Sequence, residues 1–465
     1  MSEIIKLSFS FIAIFILPIV VGGVFLKNHV SLVSKWWLGL ILIGAYLLIC
    51  HSLNINQSLM LIFLSVFIIF SMVFWGFKYL KKWKFGKKKG LCFYFTSLFN
   101  SFCNFLFSFS PSIIILLCGY ISVLSSPVSA SDAVGIWFNK IKSLYFGIPL
   151  KSISFPTYPN LLPIYEVLII KFTGGLNECY GRLIFPTIYF FFTIALLELL
   201  RKHNKFWQKF FASLITVSFY KSFFFTSGYM DGGVAIFTAV STIYFLKLLN
   251  RLPKKEKKTT YLISFILAGS IGLIKLEGST LGLILIFNFI FHYLLLGGVK
   301  KIKTIFPYLF LFFLFLFLWP IMLKINNVSL WPIQGAFAKE DIPIIKNLNR
   351  LPVIGQFLIN DLRGNFLLII FSLFLSFITI NFRFKKIFQI LFLWEVIIFH
   401  TLFVIITFLL TKTPLQWHLE TAFNRLMFQH YYIYAVLIYF CVASLMEEIS
   451  KENKGNKSPI LNLPF

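Results

Sequence analysis

Residues 300–322 read KKIKTIFPYLFLFFLFLFLWPIM, a short lysine cluster followed by an apolar run without a single charge. An uncharged apolar run of about 20 residues has the length of a helix that crosses the hydrocarbon core of a bilayer. Similar runs recur along the chain, and only 13% of its 465 residues are charged, whereas a soluble domain has about 25%. The sequence therefore predicts an all-α, polytopic membrane protein.

The basic residues are concentrated in short segments between the apolar runs. The net charge is +27, which on its own would also suit a nucleic-acid-binding protein. The clearest basic segments are Lys78 to Lys89, Arg201 to Lys209, Arg251 to Lys258, Lys300 to Lys303 and Arg383 to Lys386. Cytoplasmic loops of membrane proteins carry this excess of lysine and arginine. We therefore assign these segments to the cytoplasm and expect no nucleic-acid partner.

With the basic segments on one side, the sequence predicts about 13 transmembrane helices. The predicted spans are 7–26, 36–52, 58–77, 104–124, 182–200, 208–226, 233–249, 260–274, 279–297, 304–322, 365–381, 387–410 and 430–446. The outer side then receives the long loops 125–181, 323–364 and 411–429, and the tight turns 227–232 and 275–278. We divide the chain into an N-terminal three-helix extension (1–91), a main transmembrane module (92–447) and a cytoplasmic tail (448–465).

Three segments fit this pattern less simply. Residues 159–171 are apolar but too short to span, so we predict an interfacial helix on the outer leaflet, within the first outer loop. Residues 92–103 are either a second interfacial piece or an extension of the fourth helix. The first apolar run, 7–26, lacks a small-residue cleavage site and is predicted to be a retained helix rather than a signal peptide.

The six cysteines form no CxxC pair and no cluster with histidine. Neither a zinc site nor a disulfide framework is indicated, and no other set of metal ligands stands out. We therefore expect that no cofactor is required, with a divalent metal left open.

All four aspartates of the chain fall in predicted outer loops, and Asp132 is the most informative of them. It follows the outer end of the fourth predicted span by a few residues and opens a loop that contains Trp137 and Tyr158. A carboxylate near the membrane is costly and tends to have a function, and an ionised carboxylate can take a proton from a hydroxyl. Asp132 is therefore a candidate general base, although the aromatic residues also fit an ordinary interfacial belt.

Two tight outer turns carry further charges. The turn at 226–233 contains Asp231, which caps the next helix, has a functional role, or does both. The turn at 272–278 contains Lys275 and Glu277, which are either turn residues without partners or charges that face a cavity. An ammonium such as that of Lys275 suits a phosphate.

The last outer loop contains Trp417, His418, Thr421 and Arg425. On a helix, the last three of these residues share a face, and the planar guanidinium of Arg425 matches a phosphate. The alternative is a solvated end of an amphipathic helix. Together the four clusters place carboxylates, a lysine, an arginine and a histidine on one side of the membrane. This combination suits a substrate with a tail in the bilayer and an anionic head at its surface.

These clusters resemble the motifs of membrane glycosyltransferases of the GT-C superfamily, which includes protein O-mannosyltransferases and lipid A aminoarabinose transferases. A less characterised bacterial branch has the same five elements in the same order. Here they are Asp132-Ala133 to Trp137, Tyr158 to Pro163, Gly228 to Asp231, Lys275 to Gly278, and Trp417 to Leu426. The resemblance covers about residues 105–430, and five individually weak motifs in order are fairly specific. Better-known members carry a glutamate where this chain has Ala133.

The resemblance implies inverting transfer of a sugar from a polyprenyl-phosphate donor to a hydroxyl of a glycan, lipid or protein acceptor. It implies Asp132 as the general base and Asp231 as a second catalytic carboxylate, which binds acceptor or a metal. The residues expected to hold the donor phosphate are Lys275, Arg425 and His418. Those expected to line the acceptor or sugar pocket are Trp137, Tyr158, Glu277 and Trp417. The expected location is a bacterial inner membrane, with the site on the periplasmic face.

Two other functions remain open, namely a flippase or transporter of lipid-linked sugars and an oligosaccharide polymerase or ligase. A transporter should place its ionisable residues near the bilayer midplane and use broken helices. The few charges inside predicted spans are Glu198, Lys221 and Glu395. A polymerase would use a lipid-linked oligosaccharide, so a donor that carries a monosaccharide separates it from the transferase.

Overall fold

Every regular element that the structure describes is a helix, as the sequence predicts. The computed structural model describes residues 2–26, 30–56, 58–67, 69–70, 73, 91–128, 132–197, 199, 206–250, 252–297, 302–329, 344–411 and 413–455. The predicted basic loop at 78–89, Asp341, Glu198 and the end of the predicted tail lie outside these residues.

The main helices are, in chain order, α1 (Glu3–Phe25), α2 (Leu32–Ser52), α3 (Ser58–Phe67), α4 (Leu91–Ser125), α5 (Asn139–Tyr145), α6 (Leu161–Thr173), α7 (Glu178–Leu197), α8 (Phe206–Phe219), α9 (Asp231–Leu249), α10 (Lys254–Ser270), α11 (Leu276–Gly297), α12 (Ile302–Ile325), α13 (Leu351–Gly364), α14 (Phe366–Phe382), α15 (Ile387–Leu410), α16 (Leu415–Phe428) and α17 (Tyr431–Gly455). A π-helical segment, Ala133–Phe138, leads into α5. Residues 92–103 belong to α4, so they extend the fourth predicted span.

Eight helices within the described part of the chain are long and apolar enough to cross a membrane. They are Glu3–Phe25, Leu32–Ser52, Glu178–Leu197, Asp231–Leu249, Leu276–Leu296, Ile302–Ile325, Phe384–Leu410 and Leu415–Glu447. The pair Asn347–Gly364 and Phe366–Phe382 adds a ninth candidate, bent by 69° at its break. The protein is therefore a multi-pass membrane protein. Some of the remaining predicted spans correspond to shorter helices such as α8 and α10. The predicted span 58–77 runs beyond the described residues.

Helix α9 lies at the centre of the bundle, and all of its residues are buried. Its sequence is apolar on every side, which is typical of a helix surrounded by protein. Just past its end, Asn250 accepts a hydrogen bond from Lys386 at 2.7 Å, so this end of the bundle contacts a predicted basic segment. Asp231 begins the helix about 28 Å away. There it meets Lys275, so two predicted outer turns lie together at the opposite end.

The N-terminal helices α1 and α2 pack closely and share the core of the main module. A Cβ on Gly22 would lie 1.9 Å from a carbonyl oxygen of α2, and one on Gly39 would lie 1.8 Å from a carbonyl oxygen of α1. Only glycine at these two positions permits this approach. The indole of Trp36 then stacks on Phe191 of α7, with ring centroids 3.9 Å apart. Helices α1 and α2 of the predicted N-terminal extension therefore pack into the main module.

Helix α6 lies inside the protein, which corrects the prediction of an interfacial helix at 159–171. Residues 161–170 are all buried, α1 and α2 pack against the helix, and the Tyr165 hydroxyl donates to the Ala13 carbonyl oxygen at 2.9 Å. The surface position was wrong because local hydropathy marks a segment too short to span, but does not reveal which helices cover it.

Candidate functional site

The predicted outer clusters meet around one cavity of about 300 Å³. The first long loop contributes Asp132, Trp137 and Tyr158. Lys275 comes from the turn before α11, Glu277 from the first turn of α11, and His418 and Arg425 from α16. Seven of the nine predicted site residues therefore line one space. The two others, Asp231 and Trp417, lie elsewhere.

Asp132 and Arg425 form an ion pair at the edge of this cavity. Nη1 of Arg425 donates a hydrogen bond to Oδ2 of Asp132. The Asp132 side chain is 38% exposed and that of Arg425 is 20% exposed, so the pair stays in contact with water. The guanidinium also lies 5.2 Å from the centre of the Tyr229 ring, a cation–π arrangement.

Arg425 keeps hydrogen-bonding capacity in this position. Its only hydrogen bond among the described residues is the one to Asp132, and its buried Nε has no partner there. A guanidinium carries five N–H groups in a fixed plane. The remaining N–H groups can therefore bind an anion that enters the cavity.

Asp231 lies behind the cavity wall, at the first position of α9. Its Oδ1 accepts from Nζ of Lys275 and from Nε2 of Gln429, each at 2.9 Å. The Asp231 side chain is 2% exposed and that of Lys275 is 8% exposed. A carboxylate in the first helical turn is also favoured by the helix dipole. Asp231 is therefore a partner of Lys275 rather than a residue that faces the cavity.

Lys275 occupies the tight turn between α10 and α11. The two ends of this turn approach each other so closely that a Cβ on Gly278 would lie 2.4 Å from the Ile271 carbonyl oxygen. The ammonium is 3.8 Å from Oε1 of Glu277. Burial alone would lower the pKa of Lys275, but the charges of Asp231 and Glu277 outweigh it and raise the pKa above its ordinary value. Lys275 is therefore a charged ammonium in the cavity wall.

His418 contributes an imidazole to the other side of the cavity. Its Nδ1 is hydrogen-bonded to the Thr411 hydroxyl at 2.8 Å, and its ring meets Phe408 edge-on with centroids 4.9 Å apart. These two contacts fix the plane of the ring. The second nitrogen, Nε2, makes no hydrogen bond with the described residues and can serve a ligand.

Two residues of α16, Thr421 and Trp417, lie outside the cavity lining. Thr421 donates to the Trp417 carbonyl oxygen at 2.9 Å and is exposed, while Ala422 takes the predicted place beside His418 in the lining. The Trp417 ring is 57% exposed and lies outside the cavity lining. Fewer polar residues of α16 therefore face the cavity than its sequence suggested.

The aromatic wall of the cavity rests on a buried lysine. Trp137 meets Tyr158 edge-on, with ring centroids 5.8 Å apart. Burial raises the pKa of the Tyr158 hydroxyl, and the negative charge of Glu277 raises it further. Beneath them, Lys140 Nζ donates to the Tyr158 carbonyl oxygen at 2.8 Å and to Oδ1 of Asn160 at 3.0 Å. Burial lowers the pKa of Lys140 to about 7. These bonds hold the loop that carries the wall.

Sequence reasoning missed Gln429, Thr411 and Lys140 as parts of this site. Gln429 follows Arg425 by four residues, which is the one local signal that relates it to the site. Amides and hydroxyls carry no charge that would mark them near a membrane. Nothing in the sequence distinguishes Lys140 from the other lysines of the predicted outer loops, and only the structure shows that it is buried.

The cavity has the groups for binding an anion beside a hydroxyl. Lys275 and Arg425 are its cations, and Asp132 is a partly exposed carboxylate that can accept a proton. Clusters of three or more His, Cys, Asp or Glu side chains that could hold a metal do not occur in the described ranges.

Comparison of the chain with protein-family models, with curated proteins and with solved structures gives no match. The resemblance to GT-C glycosyltransferases accordingly rests on the five sequence motifs and their order.

Proposed function

We propose that the protein is a membrane glycosyltransferase that moves a sugar from a polyprenyl-phosphate donor to an acceptor hydroxyl, with inversion. The observation that carries this proposal is the single cavity where Asp132, Lys275 and Arg425 meet beside Trp137 and Tyr158. A carboxylate, two cations and an aromatic wall are the groups that such a transfer requires.

The two cations would hold the donor phosphate, which is also the leaving group. An ammonium has three N–H donors, and Lys275 uses one of them on Asp231. Arg425 uses one of its five on Asp132. Charge that develops on the departing phosphate is stabilised by donors already aimed at it. Asp231 supports this step by holding Lys275 in place, and Nε2 of His418 is the third candidate donor.

Asp132 would take the proton of the acceptor hydroxyl as that oxygen attacks the anomeric carbon. Attack from the face opposite the phosphate inverts the configuration, following the logic of inverting glycoside chemistry. Oδ2 of Asp132 is occupied by Arg425, so Oδ1 is the oxygen available to the proton. Removal of such a base costs about 10²–10⁴ in rate.

The apolar helices around the cavity support a lipid-linked donor. In a bacterial inner membrane the cavity would face the periplasm, since the predicted basic segments would then lie in the cytoplasm. The acceptor is a glycan, a lipid or a protein.

One observation favours a transporter as the second candidate. Nε2 of His292 and Oε2 of Glu395 are 2.7 Å apart between α11 and α15, away from the cavity. Ionisable residues inside transmembrane segments often mark transport pathways. A transporter would move a lipid-linked sugar across the bilayer and leave its glycosidic bond intact.

Proteoliposomes that contain the purified protein and a panel of labelled polyprenyl-phosphate monosaccharides distinguish these functions. Transfer of the label to an acceptor, with release of polyprenyl phosphate, supports the glycosyltransferase. Movement of intact donor between leaflets without release supports the transporter. Transfer only from lipid-linked oligosaccharides supports a polymerase or ligase.

A further inference from the structure

A second cavity, of about 230 Å³, lies on the other face of α16. Asn424 and Phe428 line this cavity, whereas Ala422 and Arg425 line the first. The two cavities are at the same end of the bundle, because Gln429, which follows Phe428 directly, binds Asp231. One helix therefore separates the proposed transfer site from a second space.

Two unlike charges line the second cavity without pairing with each other. Oδ1 of Asp361 accepts only from the Asn365 amide, at 3.2 Å, among the described residues. Nζ of Lys221 lies 5.3 Å from the centre of the Tyr431 ring. A carboxylate near the membrane without a cation is costly. A ligand with hydroxyl donors would offset that cost.

The rest of the lining has a polar side and an aromatic side. His430 is only 4% exposed, and its Nδ1 is 2.8 Å from Nδ1 of His400, which leaves Nε2 for a group in the cavity. The ring of Phe224 stacks on Phe428, with centroids 3.7 Å apart. Such a surface offers hydrogen bonds to one edge of a ligand and apolar contact to its face.

We propose that the second cavity is a saccharide subsite that binds one sugar unit of a glycan acceptor; the acceptor role rests on the proposed function. A sugar presents hydroxyls to Asp361, Lys221 and His430, and its C–H face to the aromatic rings. Asp361 and Lys221 give the lining one charge of each sign, which suits an uncharged polar ligand. A few convergent polar groups beside aromatic side chains are the usual composition of a small-molecule site.

Saccharide binding to the purified full-length protein, measured without any donor, tests this subsite. The probes are neutral hexose and N-acetylhexosamine oligosaccharides, followed by saturation-transfer NMR. Asp361→Asn keeps the shape of the side chain and removes its charge, and should weaken binding about tenfold. Asn424→Trp, which places a much larger side chain in the cavity from α16, should abolish binding. Arg363→Gln on the exposed surface of α13 is the matched control and should bind as wild type does.

Absence of binding of every probe to the wild type would overturn the subsite. Equal binding by Asp361→Asn, Asn424→Trp and wild type would overturn it as well. The proposed transfer function is tested separately through binding of polyprenyl phosphate, which Asp361→Asn should leave unchanged. Oligosaccharide binding that depends on Asp361, in a protein that neither binds polyprenyl phosphate nor transfers sugar, would support the subsite and refute the transferase.

Discussion

Arg425 of α16 donates a hydrogen bond to Asp132, at the start of the first predicted outer loop motif and 293 residues earlier in the chain. This contact joins the proposed base to a proposed phosphate ligand. Neither residue can therefore be changed without an effect on the other, and their coupling yields the first two predictions.

Asp132→Asn should slow transfer by about 10²–10⁴ and tighten binding of polyprenyl phosphate about fivefold. The amide cannot take a proton, and it no longer competes with phosphate for Arg425. A partly exposed charge at this distance is worth on the order of 1 kcal/mol. The measurement is the dissociation constant of polyprenyl phosphate. The control is Glu420→Gln, which changes an exposed carboxylate of α16, the helix that carries Arg425. Weaker phosphate binding by Asp132→Asn would contradict the competition.

Arg425→Lys should weaken binding of polyprenyl phosphate although the charge is kept. An ammonium is a point donor and cannot present two parallel N–H groups to one phosphate. The loss should be about tenfold, as expected for one charge-assisted hydrogen bond. Arg363→Lys on α13 supplies the control. Unchanged affinity of Arg425→Lys would show that the guanidinium does not grip phosphate through two bonds.

Asp231→Asn should destabilise the protein by about 3–5 kcal/mol, because it removes the nearest of the two carboxylates that compensate the buried ammonium of Lys275. Lys275→Met in the same chain should recover a large part of the loss, since the buried charge is then gone. Thermal unfolding of the two single variants and the double variant gives the coupling between the residues. Additive effects would mean that the 2.9 Å contact contributes little.

Glu166→Gln should remove a pH dependence of stability. Burial raises the pKa of Glu166 from its ordinary 4.5 to about 8, and the charge of Arg182 opposes only part of that rise. The unfolded chain releases this proton near pH 4.5 and the folded protein near pH 8. The contribution of Glu166 is therefore complete below pH 4.5 and is lost as the pH rises to about 8. Unfolding followed from pH 4.5 to 8 should show a steeper decline for wild type than for Glu166→Gln. Parallel curves would contradict the shifted pKa.

Hydropathy and charge were enough to predict an all-helical membrane protein and to group Asp132, Lys275 and Arg425 in one set of loops. Charges near a membrane stand out against apolar runs, so their positions can be predicted from sequence. The contacts among them could not be predicted, because nothing local relates Asp231 to Gln429 or to Lys275. The position of Trp417 outside the cavity could not be predicted for a related reason, since helical spacing alone does not show which face meets the cavity.

Helix α6 shows the other limit of sequence reasoning. Its length and composition fit a surface helix, yet α1 and α2 cover it. The spacing of Gly22 and Gly39, which permits that packing, becomes meaningful only when the two helices are seen together. The N-terminal extension lies outside the motifs of the resemblance, so sequence reasoning assigned it no role.

The most direct test of sugar transfer with Asp132 as the base uses a radiolabelled polyprenyl-phosphate monosaccharide, in membranes that carry wild type or Asp132→Asn at equal abundance. We expect transfer by wild type and a loss of about 10²–10⁴ in rate for the variant. Equal transfer by both proteins would contradict Asp132 as the base, and absence of transfer by wild type from every donor and acceptor would contradict the glycosyltransferase itself.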